Sequence, residues 1–78
     1  EPTAGMARAD TNATVDLLKT IASKGITMVV IEHDMHVVFS LADKITVLAQ
    51  GTPIAEGLPA EIRGNEKVQE AYLGGAHL

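Results

Sequence analysis

Apolar positions change their period several times along the chain, and each change marks an element. Val15, Leu17, Leu18, Ile21 and Ala22 recur at three- and four-residue spacing, the period of one helix face. This predicts a helix capped at its start by Asp10 or Thr11 and closed by Gly25. Ahead of it, residues 1–10 hold Pro2 and Gly5 without a clear period and predict a loop. From Ile26 to Ile31 the helical period vanishes. Ile-Thr-Met-Val-Val-Ile is β-branched and almost continuously apolar, which predicts a strand buried on both faces of a parallel sheet. A helix, a short glycine turn and such a strand form the second half of a βαβ unit, whose first strand is expected immediately before Glu1.

Beyond Glu32-His33-Asp34 the helical period returns from about Met35 to Ala42, with Asp34 as N-cap and Val38, Phe39, Leu41 and Ala42 facing inward. Ile45 to Ala49 and Thr52 to Glu56 then read as two strands. Gln50-Gly51 joins them, the glycine supplying the positive φ of a tight hairpin turn. Pro53 marks the second as an edge strand. Leu58-Pro59 opens a helical turn to about Ile62, and Asn65 caps a last helix carrying Val68, Ala71, Tyr72 and Leu73 to a stop at Gly74. The element order defines an α/β chain.

Composition narrows the function classes. The chain has 78 residues, six basic and ten acidic, for a formal charge of −4. That balance provides no basic stripe for a nucleic-acid backbone, and Phe39 and Tyr72 are its only aromatics, so no nucleic-acid partner is expected. The apolar run from Ile26 to Ile31 is far short of the roughly 20 residues needed to cross a bilayer, so membrane association would come through a partner. Without cysteine there is no disulfide or thiolate site to support a thin core. The chain opens at Glu1 without a methionine, and a cut or processed product is expected.

Two polar residues stand where chemistry is expected. Glu1 would lie at the end of the strand predicted to precede it, and His33 follows the strand ending at Ile31. In open α/β sheets, ligands gather at the carboxyl ends of strands, so both residues would face one crevice. A carboxylate there can orient or deprotonate a water attacking a phosphoryl group, and an imidazole can donate to phosphate oxygens as charge shifts. Position alone leaves the plainer reading open, in which Glu1 is solvated and His33 is a satisfied loop residue. His33 and His36 are three apart and flank Asp34, yet no third or fourth ligand is evident and no metal site is expected. Ser23 and Ser40 sit in helical patterns without a nucleophile elbow.

The opening Glu1-Pro2-Thr3-Ala4-Gly5-Met6, followed about thirty residues later by Ile31-Glu32-His33-Asp34, resembles the second half of ABC-transporter ATPases. The resemblance implies the C-terminal part of a P-loop NTPase fold, with residues 1–57 carrying the D-loop, switch-histidine strand and hairpin, and 58–78 a helical tail. It places the catalytic glutamate at Glu1 and the γ-phosphate-contacting switch histidine at His33. The D-loop, which meets a second ATPase subunit across the nucleotide sandwich, falls on Ala4, Gly5, Met6 and Ala7. Most members of the family carry aspartate where this chain has Ala7. The tail, Gly51 to Gly57, Pro59 to Arg63, Val68 and Glu70 to Gly74, resembles that of branched-chain amino acid importers.

Implied with this are ATP and Mg2+ in the parent subunit, transmembrane permease subunits as partners, and a peripheral position on the cytoplasmic face of the inner membrane. The sequence contains no G-x-x-x-x-G-K-[ST] loop, LSGGQ-like signature or Walker B aspartate. The 78-residue piece is therefore expected to bind no nucleotide, to be inactive alone, and to self-associate through the flank of the Ile26 to Ile31 strand. The alternative is a small non-catalytic α/β interaction module.

Overall fold

A computed structural model describes residues 1–72 and divides the chain into two compact units, Glu1–Leu41 and one beginning at Ala42. The first unit holds α1 (Arg8–Ser23) and α2 (Met35–Leu41). The second holds β1 (Ile45–Ala49), β2 (Thr52–Gly57), α3 (Pro59–Arg63) and α4 (Glu66–Tyr72).

In the first unit α1 packs on α2, with Val15, Thr11 and Val37 buried. Leu18 and Ile21 continue the Val15 stripe half-buried, whereas Leu17 is turned out and exposed. The helix begins earlier than expected. Ala7, in extended conformation, is the N-cap, and its carbonyl accepts the Thr11 N–H at 2.9 Å. Arg8, Ala9 and Asp10 tolerate helical geometry, so the helix extends back over them; Asp10 becomes a first-turn carboxylate at the positive end of the dipole instead of the cap. At the other end Gly25 takes φ +82 and its N–H donates to the Ala22 carbonyl at 3.0 Å, the expected left-handed stop.

The predicted parallel strand does not form. Residues 26–31 have no regular secondary structure, and the sheet among the described residues contains only β1 and β2. Val29 is 93% exposed and Ile31 75%. A parallel strand needs ladder partners beside it, and these six residues meet none. Asp34 caps α2 as expected, its Oδ1 accepting N–H groups of His36 at 3.0 Å and Val37 at 3.3 Å. The deepest residue of α2 is Val37, outside the predicted inward set, while Val38, Phe39 and Leu41 flank it half-buried.

In the second unit β1 and β2 pair antiparallel, Ile45 opposite Gly57 and Ala49 opposite Thr52. Gln50 and Gly51 both have positive φ, 51° and 77°, the requirement of a two-residue turn matching the strand twist. Ile45 and Val47 alternate inward along β1. Between Val47 and Leu48 the register shifts, leaving Ile54 as an extra residue in β2, and Pro53 beside it accommodates its missing N–H at this bulge. Pro59 occupies the first turn of α3, where Glu61 accepts the Leu58 N–H at 3.0 Å. Asn65 Oδ1 caps α4 through the N–H groups of Lys67 and Val68, at 2.9 and 3.2 Å. Ile62 and Val68 are fully buried. Tyr72 donates its hydroxyl to the Leu48 carbonyl, and Ala71 is exposed. The expected contribution of Leu73 and the stop at Gly74 lie outside the described residues.

Candidate functional site

The first six residues fold back on themselves. The Ala4 N–H donates to the Glu1 carbonyl at 3.2 Å and the Met6 N–H to the Thr3 carbonyl at 3.1 Å. Gly5, at the third position of the second turn, has φ +72, where a β-carbon would be strained. Ala4, Gly5, Met6 and Ala7 are all exposed and form a continuous outward stretch leading into α1. Met6 is anchored on one side by the Thr14 hydroxyl, which lies 3.6 Å from its Sδ.

This turn brings Glu1 to His33. Although 32 positions apart, the Glu1 carboxylate and the His33 Nδ1 are in hydrogen-bonding contact, and both side chains stay open to solvent. His33 lies at the bend immediately before the α2 cap, so Asp34 holds the backbone that presents the imidazole. The two residues singled out from sequence therefore share one site within the first unit.

A third residue joins them. The Glu32 side chain is closed to solvent, with Oε2 accepting the Thr3 N–H at 3.1 Å and Oε1 accepting the His33 N–H at 3.2 Å. The Asp34 N–H reaches the same Oε1 at 3.5 Å, and the His33 Nδ1 lies 3.7 Å away. Burial acts to raise the Glu32 carboxyl pKa, but hydrogen bonding from Thr3, Asp34 and His33 outweighs it and holds the group below the ordinary carboxylate range. Glu32 is thus an anion fixed by N–H donors from both sides of the site. In sequence it reads only as part of the strand-ending motif. The signal that could have found it is a carboxylate two residues before a helix N-cap, where free backbone N–H groups converge.

Potential ligand atoms of Glu1, Glu32 and His33 lie within 4.8 Å of one another. Both Glu32 oxygens already serve backbone N–H groups, so the set is built as a hydrogen-bonded cluster around a carboxylate. His36 lies outside it, exposed on a cleft with Arg8, Asn12 and Ser40.

Comparison with known proteins shows which sequences this chain is similar to. A family model described as branched-chain amino acid ATP-binding cassette transporter matches residues 54–78. Across 77 residues, 97% of the chain, the sequence is 43% identical to the high-affinity branched-chain amino acid transport ATP-binding protein BraF of Pseudomonas aeruginosa. It is 42% identical over the same share to the LivG protein of Escherichia coli, described in the same words, and 36% identical over 94% of the chain to the glutamine transport ATP-binding protein GlnQ of Bacillus subtilis. The chain thus matches the ATP-binding subunits of ABC transporters along nearly its whole length. Within them its likeness is to the branched-chain amino acid type, as the expectation from sequence held. The chain spans about 30% of the length of these relatives. Among the described residues no helix is long and apolar enough to cross a membrane.

Proposed function

We propose that the chain is the C-terminal part of the ATP-hydrolysing subunit that energises branched-chain amino acid import. Glu1 orients and deprotonates the water that attacks the γ-phosphate of MgATP, and His33 donates to the phosphate oxygens as negative charge builds on them. Ala4, Gly5, Met6 and Ala7 meet a second ATPase subunit across the bound nucleotide, and permease subunits hold the assembly at the cytoplasmic face of the membrane. Nucleotide affinity resides in the longer subunit, and the 78-residue piece alone is inactive. The observation that carries this reading is the meeting of Glu1 and His33 at one solvent-open point, in a chain similar to transport ATP-binding proteins over 97% of its length. Against a self-sufficient interaction module stands the apolar segment 26–31, whose Val29 is almost wholly exposed.

Steady-state ATP hydrolysis by the full-length subunit tests the assignment. Glu1→Gln keeps shape and removes the base, and it is expected to lower turnover about a hundredfold or more with ATP binding intact, since general-base catalysis contributes roughly 10² to 10⁴. Unchanged turnover would remove Glu1 from the chemistry.

A further inference from the structure

Glu1 and His33 are each exposed, and each is carried on irregular backbone rather than on a helix or strand. Exposed side chains on turns keep a reactive geometry only when something buried ties their backbones together. The one closed carboxylate in this neighbourhood is Glu32, and its two oxygens face two different parts of the chain. Oε2 takes the Thr3 N–H, from the turn that carries Glu1, and Oε1 takes the N–H of His33 itself. The first bond spans 29 positions in sequence. The direct Glu1–His33 contact also links the two segments, but through exposed side chains, whereas Glu32 holds their backbone N–H groups from a side chain closed to solvent.

We propose that Glu32 is a positioning residue for the hydrolytic site, a two-ended carboxylate clamp that sets the distance between the Glu1-bearing turn and the His33 backbone. The proposal rests on the functional reading above. Glu32 touches neither water nor phosphate in it and acts only through Glu1 and His33. Charge matters as well as shape. A carboxylate offers an acceptor at both ends, whereas an amide offers one acceptor and one NH2, so a glutamine turned toward either N–H sets two donors against each other at the opposite end. The lowered pKa of Glu32 fits an anion that both segments need.

The experiment is a set of ATPase measurements on the full-length subunit, with Glu32→Gln, Glu1→Gln and the double variant measured beside wild type. Glu32→Gln is expected to lower kcat about 10- to 100-fold, the range for a reacting group displaced by roughly 1 Å, with KM for ATP within about twofold. The double variant is expected to match Glu1→Gln alone within about threefold, because a clamp has nothing to position once the base is gone. Multiplying losses, or a fall confined to KM or to thermal midpoint, would overturn the clamp. So would wild-type kcat in Glu32→Gln beside a crippled Glu1→Gln, which leaves the catalytic reading standing. Full turnover in Glu1→Gln overturns both. Should Glu32→Gln not fold, Glu32→Asp keeps the charge but is one methylene too short to reach both N–H groups. It is expected to reduce kcat in the same direction, and wild-type kcat there refutes the proposal.

Discussion

The N-cap of α1 is occupied by a residue that cannot cap. Ala7 has extended backbone, φ −67 and ψ 157, the geometry from which a serine or aspartate side chain reaches the N–H groups two and three residues on, here those of Ala9 and Asp10. No side chain makes that bond. Ala7→Asp is expected to supply it. Replacing a good cap by alanine typically costs about 0.5–2 kcal/mol, so the reverse change should stabilise the first turn by about 1 kcal/mol. The new carboxylate also meets the positive end of a 16-residue helix, an effect of about 0.3–1 kcal/mol at low salt. Asp10, already in that turn, opposes part of this, so the hydrogen bond should dominate. The assay is amide hydrogen exchange in the first turns of α1, where about 1 kcal/mol corresponds to roughly fivefold slower opening. Ala7→Ser, with a hydroxyl and no charge, should recover most of the gain and separate capping from the dipole. Equal exchange in wild type and both variants would show that the extended Ala7 backbone does not set up a cap, and the reasoning would fail.

The core and the carboxylate clamp offer further tests. Val68, fully buried against the hairpin unit, loses two carbons in Val68→Ala; at about 0.8 kcal/mol per carbon plus a cavity contribution, the loss should be about 2 kcal/mol, seen as roughly thirtyfold faster exchange in α4 and β2. A change confined to α4 would mean that the helix and hairpin open independently. For Glu32, whose folded pKa lies below the ordinary value of 4.5, the stabilisation is fully present above that value and drains away as pH falls through the lower folded pKa. The gap in thermal midpoint between wild type and Glu32→Gln should therefore be constant at neutral pH and shrink in acid, and a gap that does not change with pH would mean that charge is irrelevant there.

Local chemistry explains why parts of the fold could be read in advance. Asp34, Asn65, Gly25 and the Gln50-Gly51 pair each act through atoms within three residues of themselves, so neighbouring sequence was enough to assign them. Pro59, which opens its helical turn, belongs to the same group. The segment from Ile26 to Ile31 failed because a strand is a property of pairs; its composition is right for a ladder, but among the described residues no second strand stands beside it. Val37 was overlooked because in a seven-residue helix the apolar stripe is too short to fix its own phase. At the site, Glu1 and His33 stand out through motif spacing; for Glu32 only its place before the α2 cap is local, while its bond to Thr3 joins positions 29 apart, which no local pattern encodes.

The extra residue in β2 has a consequence for how this hairpin can change. β1 keeps an unbroken in-and-out alternation, while in β2 both Ile54 and Ala55 are half-buried, so the two strands agree in phase near the turn and again near Gly57 only because Ile54 absorbs the mismatch. Removing Ile54 would restore a regular ladder and leave the present partners together, Val47 with Ala55 and Leu48 with Pro53, each side chain keeping its face. Substitutions along the hairpin are graded in cost. Length is not: loss of Ile54 alone would bring the two strands to equal length, whereas loss of one residue from β1 would leave β2 with a second residue unpaired.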